Sequence, residues 1–178
     1  MKADPHLGHS EAADSHDEQV KKLGELVKDI RICMFTTIDA DGRPWSRPMA
    51  AQAQVFDGDL WFFTGADSEK VARLQANPNV GVAFAKPGDQ EYVTFAGSGR
   101  VVDDKAKAKE LWAEPLRTWF PKGLDDPNLR LIKVEVDRAE YWDSPSSAII
   151  YALGYAKARL TGKPPGKALT GENEKVDL

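Results

Sequence analysis

What this chain lacks narrows its chemistry before any motif is considered. There is one cysteine, Cys33, so neither an intramolecular disulfide framework nor a Cys-x-x-Cys pair can form. The three histidines, His6, His9 and His16, all precede residue 17, which argues against a histidine-dependent triad or general base. No run of about 18 apolar residues exists to cross a membrane, and Met1 to His9 has no apolar signal-peptide core. A soluble, cytoplasmic protein with no membrane partner is therefore expected. The net charge of −4 and pI near 5.4 leave no overall positive field, which disfavours a nucleic-acid partner. Gly-x-Ser-x-Gly, Walker, His-Glu-x-x-His and Gly-x-Gly-x-x-Gly patterns are all missing. His6, His9, Glu11 and Asp14 lack the spacing of a known metal site. No catalytic residue and no metal ligand is assigned, and any chemistry is expected to belong to a bound cofactor.

What is present reads as one domain, since 178 residues can bury a core unaided. Residues 1–14 are expected to form a mobile terminus, 15–160 the domain, and the Gly-, Pro- and Lys-rich stretch 161–178 a poorly ordered tail. Ser15-His16-Asp17-Glu18 has the form of a capping box, and Val20, Leu23, Val27 and Ile30 then recur at helical spacing, predicting a helix that ends near Arg31. Strands are predicted over Cys33–Ile38, Trp45–Phe56 and Leu60–Thr64, with turns at Asp41-Gly42 and Asp57-Gly58. A short helix over Glu69–Ala76 stops at Asn77-Pro78. Two further strands, Val80–Ala85 and Tyr92–Val102, pair around Pro87-Gly88-Asp89. A helix from Lys105 to Trp112, an aromatic loop at Trp119-Phe120-Pro121-Lys122-Gly123, a sixth strand over Leu129–Trp142 and a helix over Ala148–Leu160 complete the reading. The fold class is mainly β with flanking helices, a six-stranded antiparallel barrel.

Three local features suggest a site. Alternation puts Trp45, Arg47, Met49, Ala51, Ala53 and Val55 on one face of the second strand, so a guanidinium interrupts an apolar row. Leaving a buried charge unpaired costs ~3–5 kcal/mol. A carboxylate brought from elsewhere, or the surface, explains Arg47 as well as a ligand does. The second feature follows the third strand: Thr64, Gly65-Ala66, then Asp67-Ser68 at a helix start and Lys70 in its first turn. Uncapped N–H groups, two hydroxyls and an ammonium suit a phosphate there, although an ordinary capped helix with a solvated lysine has the same sequence. If the second and third strands form a hairpin through Asp57-Gly58, Arg47 and Thr64 fall in one region and a dianion accounts for both. Third, Trp119, Phe120, Tyr141 and Trp142 crowd late loop and strand-end positions, where they either pack or stack on a planar cofactor.

These pieces resemble the general stress protein 26 group of the pyridoxamine 5′-phosphate oxidase-like, flavin-binding split barrels. The resemblance runs from about residue 18 to 160. It rests on Met34-Phe35-Thr36-Thr37, Ser46-Arg47-Pro48-Met49, Leu60-Trp61-Phe62-Phe63-Thr64 with Ser68-Glu69-Lys70, and Ala139-Glu140-Tyr141-Trp142-Asp143. Asn77-Pro78-Asn79-Val80 and Trp119–Gly123 add to it. It implies a split β-barrel that binds FMN, with FAD or a deazaflavin not distinguished, at the interface of a homodimer. Arg47, Ser68 and Lys70 are the implied phosphate ligands. Met49, Phe63 and Thr64 would line the flavin and its ribityl chain, with Pro48 in the same set, and Trp142 would reach the flavin of the partner subunit. The implied function is a flavin-dependent oxidoreductase with a small-molecule electron donor or acceptor; a flavin-buffering protein without turnover is the alternative. An oligonucleotide-binding barrel is a third reading, opposed by the acidic balance. Pyridoxamine phosphate oxidases carry an Arg-x-His motif shortly after that tryptophan, where this chain has Asp143-Ser144-Pro145-Ser146-Ser147. They also have a basic pair where Glu69-Lys70 stands and a lysine where Gln52 stands. Vitamin B6 oxidation is not expected.

Overall fold

The computed structural model describes residues 7–52, 56–143, 159 and 172–178. The chain opens with helix α1, Leu7–Val27, followed by β1, Ile32–Ile38, and β2, Pro44–Ala50. Next come β3, Asp59–Gly65; α2, Glu69–Ala76; β4, Asn79–Lys86; and β5, Glu91–Val102. Helix α3, Lys105–Leu111, and short 3-10 turns at Glu114–Thr118 and Gly123–Asp125 lead into β6, Leu129–Asp143, and β7, Glu172–Asp177. The predicted fold class stands: an antiparallel sheet with helices against it. Among the described residues there are seven strands rather than six.

The strand order β2-β1-β4-β5-β6-β3 corrects the predicted hairpin of β2 and β3. The Asp57-Gly58 turn exists, with Gly58 at φ 102° and the Asp59 N–H donating to Asp57 Oδ1. It connects two strands that do not pair. β3 instead pairs with β6, Asp59 opposite Glu135 through Gly65 opposite Leu129. β2 is also shorter than expected, ending at Ala50 instead of Phe56; Ala53 and Val55 lie outside the described residues. β5 and β6 run together from Glu91–Asp143 to Val102–Leu131, with a register shift at Ala96/Gly97. A Cβ on Gly97 would stand 2.0 Å from the Glu135 carbonyl oxygen, so the bulge admits only glycine.

Two more expectations change. The helix begins at Leu7, so Ser15 lies within it and the capping-box pattern marks no start. Glu11, Ala12 and Ala13 favour helix, and neither glycine nor proline interrupts between Gly8 and Ser15. The tail contains β7, antiparallel to β6 from Arg138–Asp177 to Asp143–Glu172, with Val176 buried. β3 covers one edge of β6 only as far as Glu135, and β7 supplies the missing ladder beyond it. The helix predicted over Ala148–Leu160 lies outside the described residues apart from Arg159.

Alternation explains the layers. Cys33, Phe35 and Thr37 of β1 point inward with Val82, Phe84, Val93, Phe95 and Val134, and Leu23, Leu26 and Val27 of α1 close that core. β3 is buried on both sides. Phe62 packs edge-on against Phe35 in the main core, 5.1 Å between ring centroids, while Phe63 faces a second cluster with Leu111, Leu116, Phe120 and Leu131. Phe63 thus stands between the barrel and its helical cap, where the candidate site opens.

Candidate functional site

A cavity of about 610 Å³ lies between β2, the end of β3, the start of α2 and the Leu116–Phe120 segment. Arg47, Pro48, Met49, Phe63, Thr64, Ser68 and Lys70 all line it. Seven of the eight predicted site residues therefore converge, but by barrel closure and not by the predicted hairpin. Its lining combines the apolar Ile32, Pro48, Met49 and Phe63 with a cluster of Thr64, Ser68, Lys70 and Arg47. The volume and this mixture suit a mostly apolar ligand with one anionic end.

The two cations are held by neutral oxygens. Arg47 donates from both Nη1 and Nη2, at 3.0 Å each, to the hydroxyl of Thr37, which is fully buried. Lys70 Nζ donates at 3.2 Å to the hydroxyl of Thr64, which is 3% exposed. Among the described residues neither forms an ion pair. Burial first, then the Arg73 charge, pushes the Arg47 guanidinium below its ordinary value. Burial first, then Arg47 itself, does the same to Lys70, with Asp67 acting weakly in the other direction. Two like charges are thus partly desolvated beside each other, with Asp67 and Glu69 acting on them only from outside any ion pair among the described residues, an arrangement an anion would relieve. Among the described residues no carboxylate pairs with Arg47.

The turn between β3 and α2 completes that end. Ser68 stands at the N-cap of α2, yet its hydroxyl shares a 3.0 Å hydrogen bond with Thr64 and does not cap the helix. The first-turn N–H groups of α2 are left without a side-chain acceptor, at the positive end of the helix dipole. Asn128, which the sequence reading missed, clamps this turn. Its carbonyl accepts from Ala66 N at 2.8 Å, its Oδ1 accepts from Asp67 N at 3.3 Å, and its Nδ2 donates to Asp67 Oδ1 at 2.9 Å. A Cβ on Gly65 would meet Asn128 Nδ2 at 2.8 Å, so the glycine is needed for this approach. The Asp126-Pro127-Asn128 turn was a visible signal, but nothing in one sequence says that it faces residue 67.

With this geometry in hand, the chain can be set beside known proteins. The family model described as pyridoxamine 5′-phosphate oxidase like matches residues 18–166. The chain belongs to that family. The match covers most of the chain and the same stretch as the sequence resemblance. Protein bli-3 of Neurospora crassa is 25% identical over 158 residues, 83% of this chain and 76% of that protein. A crystal structure from a Jannaschia species, named for general stress protein 26, superposes with a TM-score of 0.72 at 22% identity, covering 91% of this chain and 99% of its own, which supports the fold. The general stress FMN/FAD binding protein of Xanthomonas citri superposes at 0.63 with 32% identity, over 74% and 92% of the two chains.

For a member of the pyridoxamine 5′-phosphate oxidase-like family the aromatic positions divide. Phe120 is buried against Phe63, 6.5 Å between centroids, and both line the cavity. Trp119 stands at the mouth, 67% exposed. Trp142 does not line the cavity of its own chain. It pairs with Tyr92 of β5 and Asn173 of β7, on the side of β6 opposite the buried Tyr141. That outer face is apolar and exposed from Ile32 and Met34 of β1, through Ala83 and Ala85 of β4, to Tyr92 and Trp142. Ile32 also lines the cavity, so cavity and face are continuous. Among the described residues no helix is long and apolar enough to cross a membrane, and no cluster of metal-ligating side chains occurs.

Proposed function

We propose that this chain is a flavin-binding redox protein that holds FMN in the 610 Å³ cavity and works as a homodimer in the cytoplasm. The carrying observation is the pair Arg47 and Lys70, both partly desolvated and, among the described residues, hydrogen-bonded to threonine hydroxyls and in no ion pair. The phosphate goes to these cations, the Ser68 hydroxyl and the uncapped turn of α2. The ribityl chain passes Thr64 and Met49, and the ring system lies along Phe63, Met49 and Pro48. Bound flavin supplies the two-electron acceptor; the protein supplies position and exclusion of water. A second copy docked on the exposed face would bring the partner subunit's Trp142 toward the open side of the cavity. The face spans three strand spacings, ~15 Å, so one chain cannot deliver its own.

The residues departing from the pyridoxamine phosphate oxidase pattern bear on substrate. Gln52 lines the cavity where that pattern has lysine, and Glu69 beside Lys70 replaces a basic residue. The reading is therefore an oxidoreductase with a small-molecule donor or acceptor other than the B6 vitamer. One observation favours the alternative of a flavin-buffering protein: among the described residues no histidine, cysteine or tyrosine lines the cavity to move a proton.

The test is an absorption spectrum of the purified protein with an FMN titration of any colourless fraction, followed by anaerobic mixing with NADH or NADPH. Stoichiometric binding is expected, and bleaching at catalytic rates identifies an enzyme. Bound flavin that no donor bleaches identifies a buffer, and failure to bind FMN, FAD or riboflavin overturns the reading.

A further inference from the structure

Beyond the cation end of the cavity, β2 carries an aromatic side chain that the barrel does not use. Trp45 precedes Arg47 by two residues, on the same side of the strand and ~7 Å along it. It is 51% exposed, although it is held in a fixed orientation. Its indole N–H donates to Asp39 Oδ2 at 2.9 Å, and the Arg73 guanidinium carbon lies 5.2 Å from its ring centroid. Asp39 is fixed in turn by the N–H groups of Asp41 and Arg43, so the platform is tied to the β1–β2 turn. Arg73 follows Lys70 by three residues, placing both on one face of α2. Its only ion pair among the described residues is with the highly exposed Glu69, at 3.2 Å. Arg47, Lys70 and Arg73 thus form a row of three cations leading out of the cavity, with an indole beside the outermost.

A pinned, exposed tryptophan next to an arginine whose ion pair is to an exposed glutamate is suited to stack a base and hold a phosphate. We propose that Trp45 and Arg73 form a subsite for the adenylate half of a dinucleotide flavin. Arg73 takes the second phosphate of FAD and the adenine stacks on the open side of Trp45. This rests on the reading above, in which the first phosphate sits at Arg47, Ser68 and Lys70. Glu69 sets the strength of the subsite, because it competes for Arg73.

The experiment is titration of the full chain and of Trp45→Ala, Trp45→Phe and Arg73→Gln with FMN, FAD and riboflavin. FAD is expected to bind the parent protein more tightly than FMN. Trp45→Ala and Arg73→Gln each weaken FAD roughly tenfold while FMN is unchanged, and Trp45→Phe restores much of the loss. The FMN affinity reports that each variant is folded. An FAD-to-FMN ratio unchanged by both variants overturns the subsite and leaves the flavin reading intact. Loss of FMN along with FAD in Trp45→Ala also overturns it, showing that Trp45 only supports the hairpin under Arg47. A parent protein that binds no flavin overturns both proposals together.

Discussion

Two lysines at opposite places in the barrel show how the same side chain can be complete in one setting and open in another. Lys133 on β6 is only 17% exposed and meets two carboxylates, Asp59 at 2.8 Å and Glu135 at 3.0 Å. The Asp59 hydrogen bond, the largest cause, raises its pKa against burial, with Glu135 adding a smaller push in the same direction. Lys70 is also partly buried but meets the Thr64 hydroxyl, and burial together with Arg47 lowers its pKa. Opposite shifts on one residue type separate a lysine held by carboxylates from one held by a hydroxyl. Arg47 on Thr37 repeats the second arrangement, which sets the cavity end apart from the paired Lys133.

The comparison can be broken by giving Lys70 what Lys133 has. Ser68→Asp puts a carboxylate within reach of Lys70 while keeping a good N-cap, so α2 stays formed and flavin affinity is expected to fall more than about a hundredfold. Titration alongside circular dichroism checks both halves. Deleting each charge sharpens it: Lys70→Met should weaken FMN by roughly tenfold to a hundredfold, the scale of ~1.5–3 kcal/mol for a hydrogen bond to a charged group. Lys133→Met should leave FMN affinity unchanged and alter only the denaturation midpoint. A smaller effect is expected one layer out. Asn128→Ala frees the Gly65–Ser68 turn, and FMN should weaken roughly threefold to tenfold while riboflavin, which has no phosphate, binds as before.

The smallest effect is in pH. Bound phosphate favours the charged form of Lys70, so FMN affinity holds below the lowered pKa of the free protein and declines as pH rises through it. The ratio of FMN to riboflavin dissociation constants isolates this, since ionisation of the shared ring cancels. A ratio flat into the alkaline range would remove Lys70 from the phosphate site.

Local signals in the sequence were read well where burial alternates strongly. The β1, β3, β5 and β6 strands follow their apolar periods, and Arg47 stood out as a charge in an apolar row. Long-range pairing was not legible. Asp57-Gly58 is a true turn, but whether the strands it joins pair depends on β6, some seventy residues later, taking the edge of β3. The β7 segment is Glu-Asn-Glu-Lys-Val-Asp, polar at every position but Val176, and becomes a strand only because β6 has an uncovered edge to offer. Spacing singled out Arg47, Thr64, Ser68 and Lys70, which line one cavity. Asn128 escaped it, since its contact with Asp67 spans sixty-one residues. Trp142, drawn from the resemblance, lies away from the cavity of its own chain, beside Tyr92 on the exposed face.

The division of one edge of β6 between β3 and β7 has a topological consequence. Asp143 and Glu172 are direct partners, so the last residue of β6 and the first of β7 share one rung. With β5 along its other edge, β6 is flanked on both sides over nearly its whole length, and this strand offers no free ladder to a second sheet.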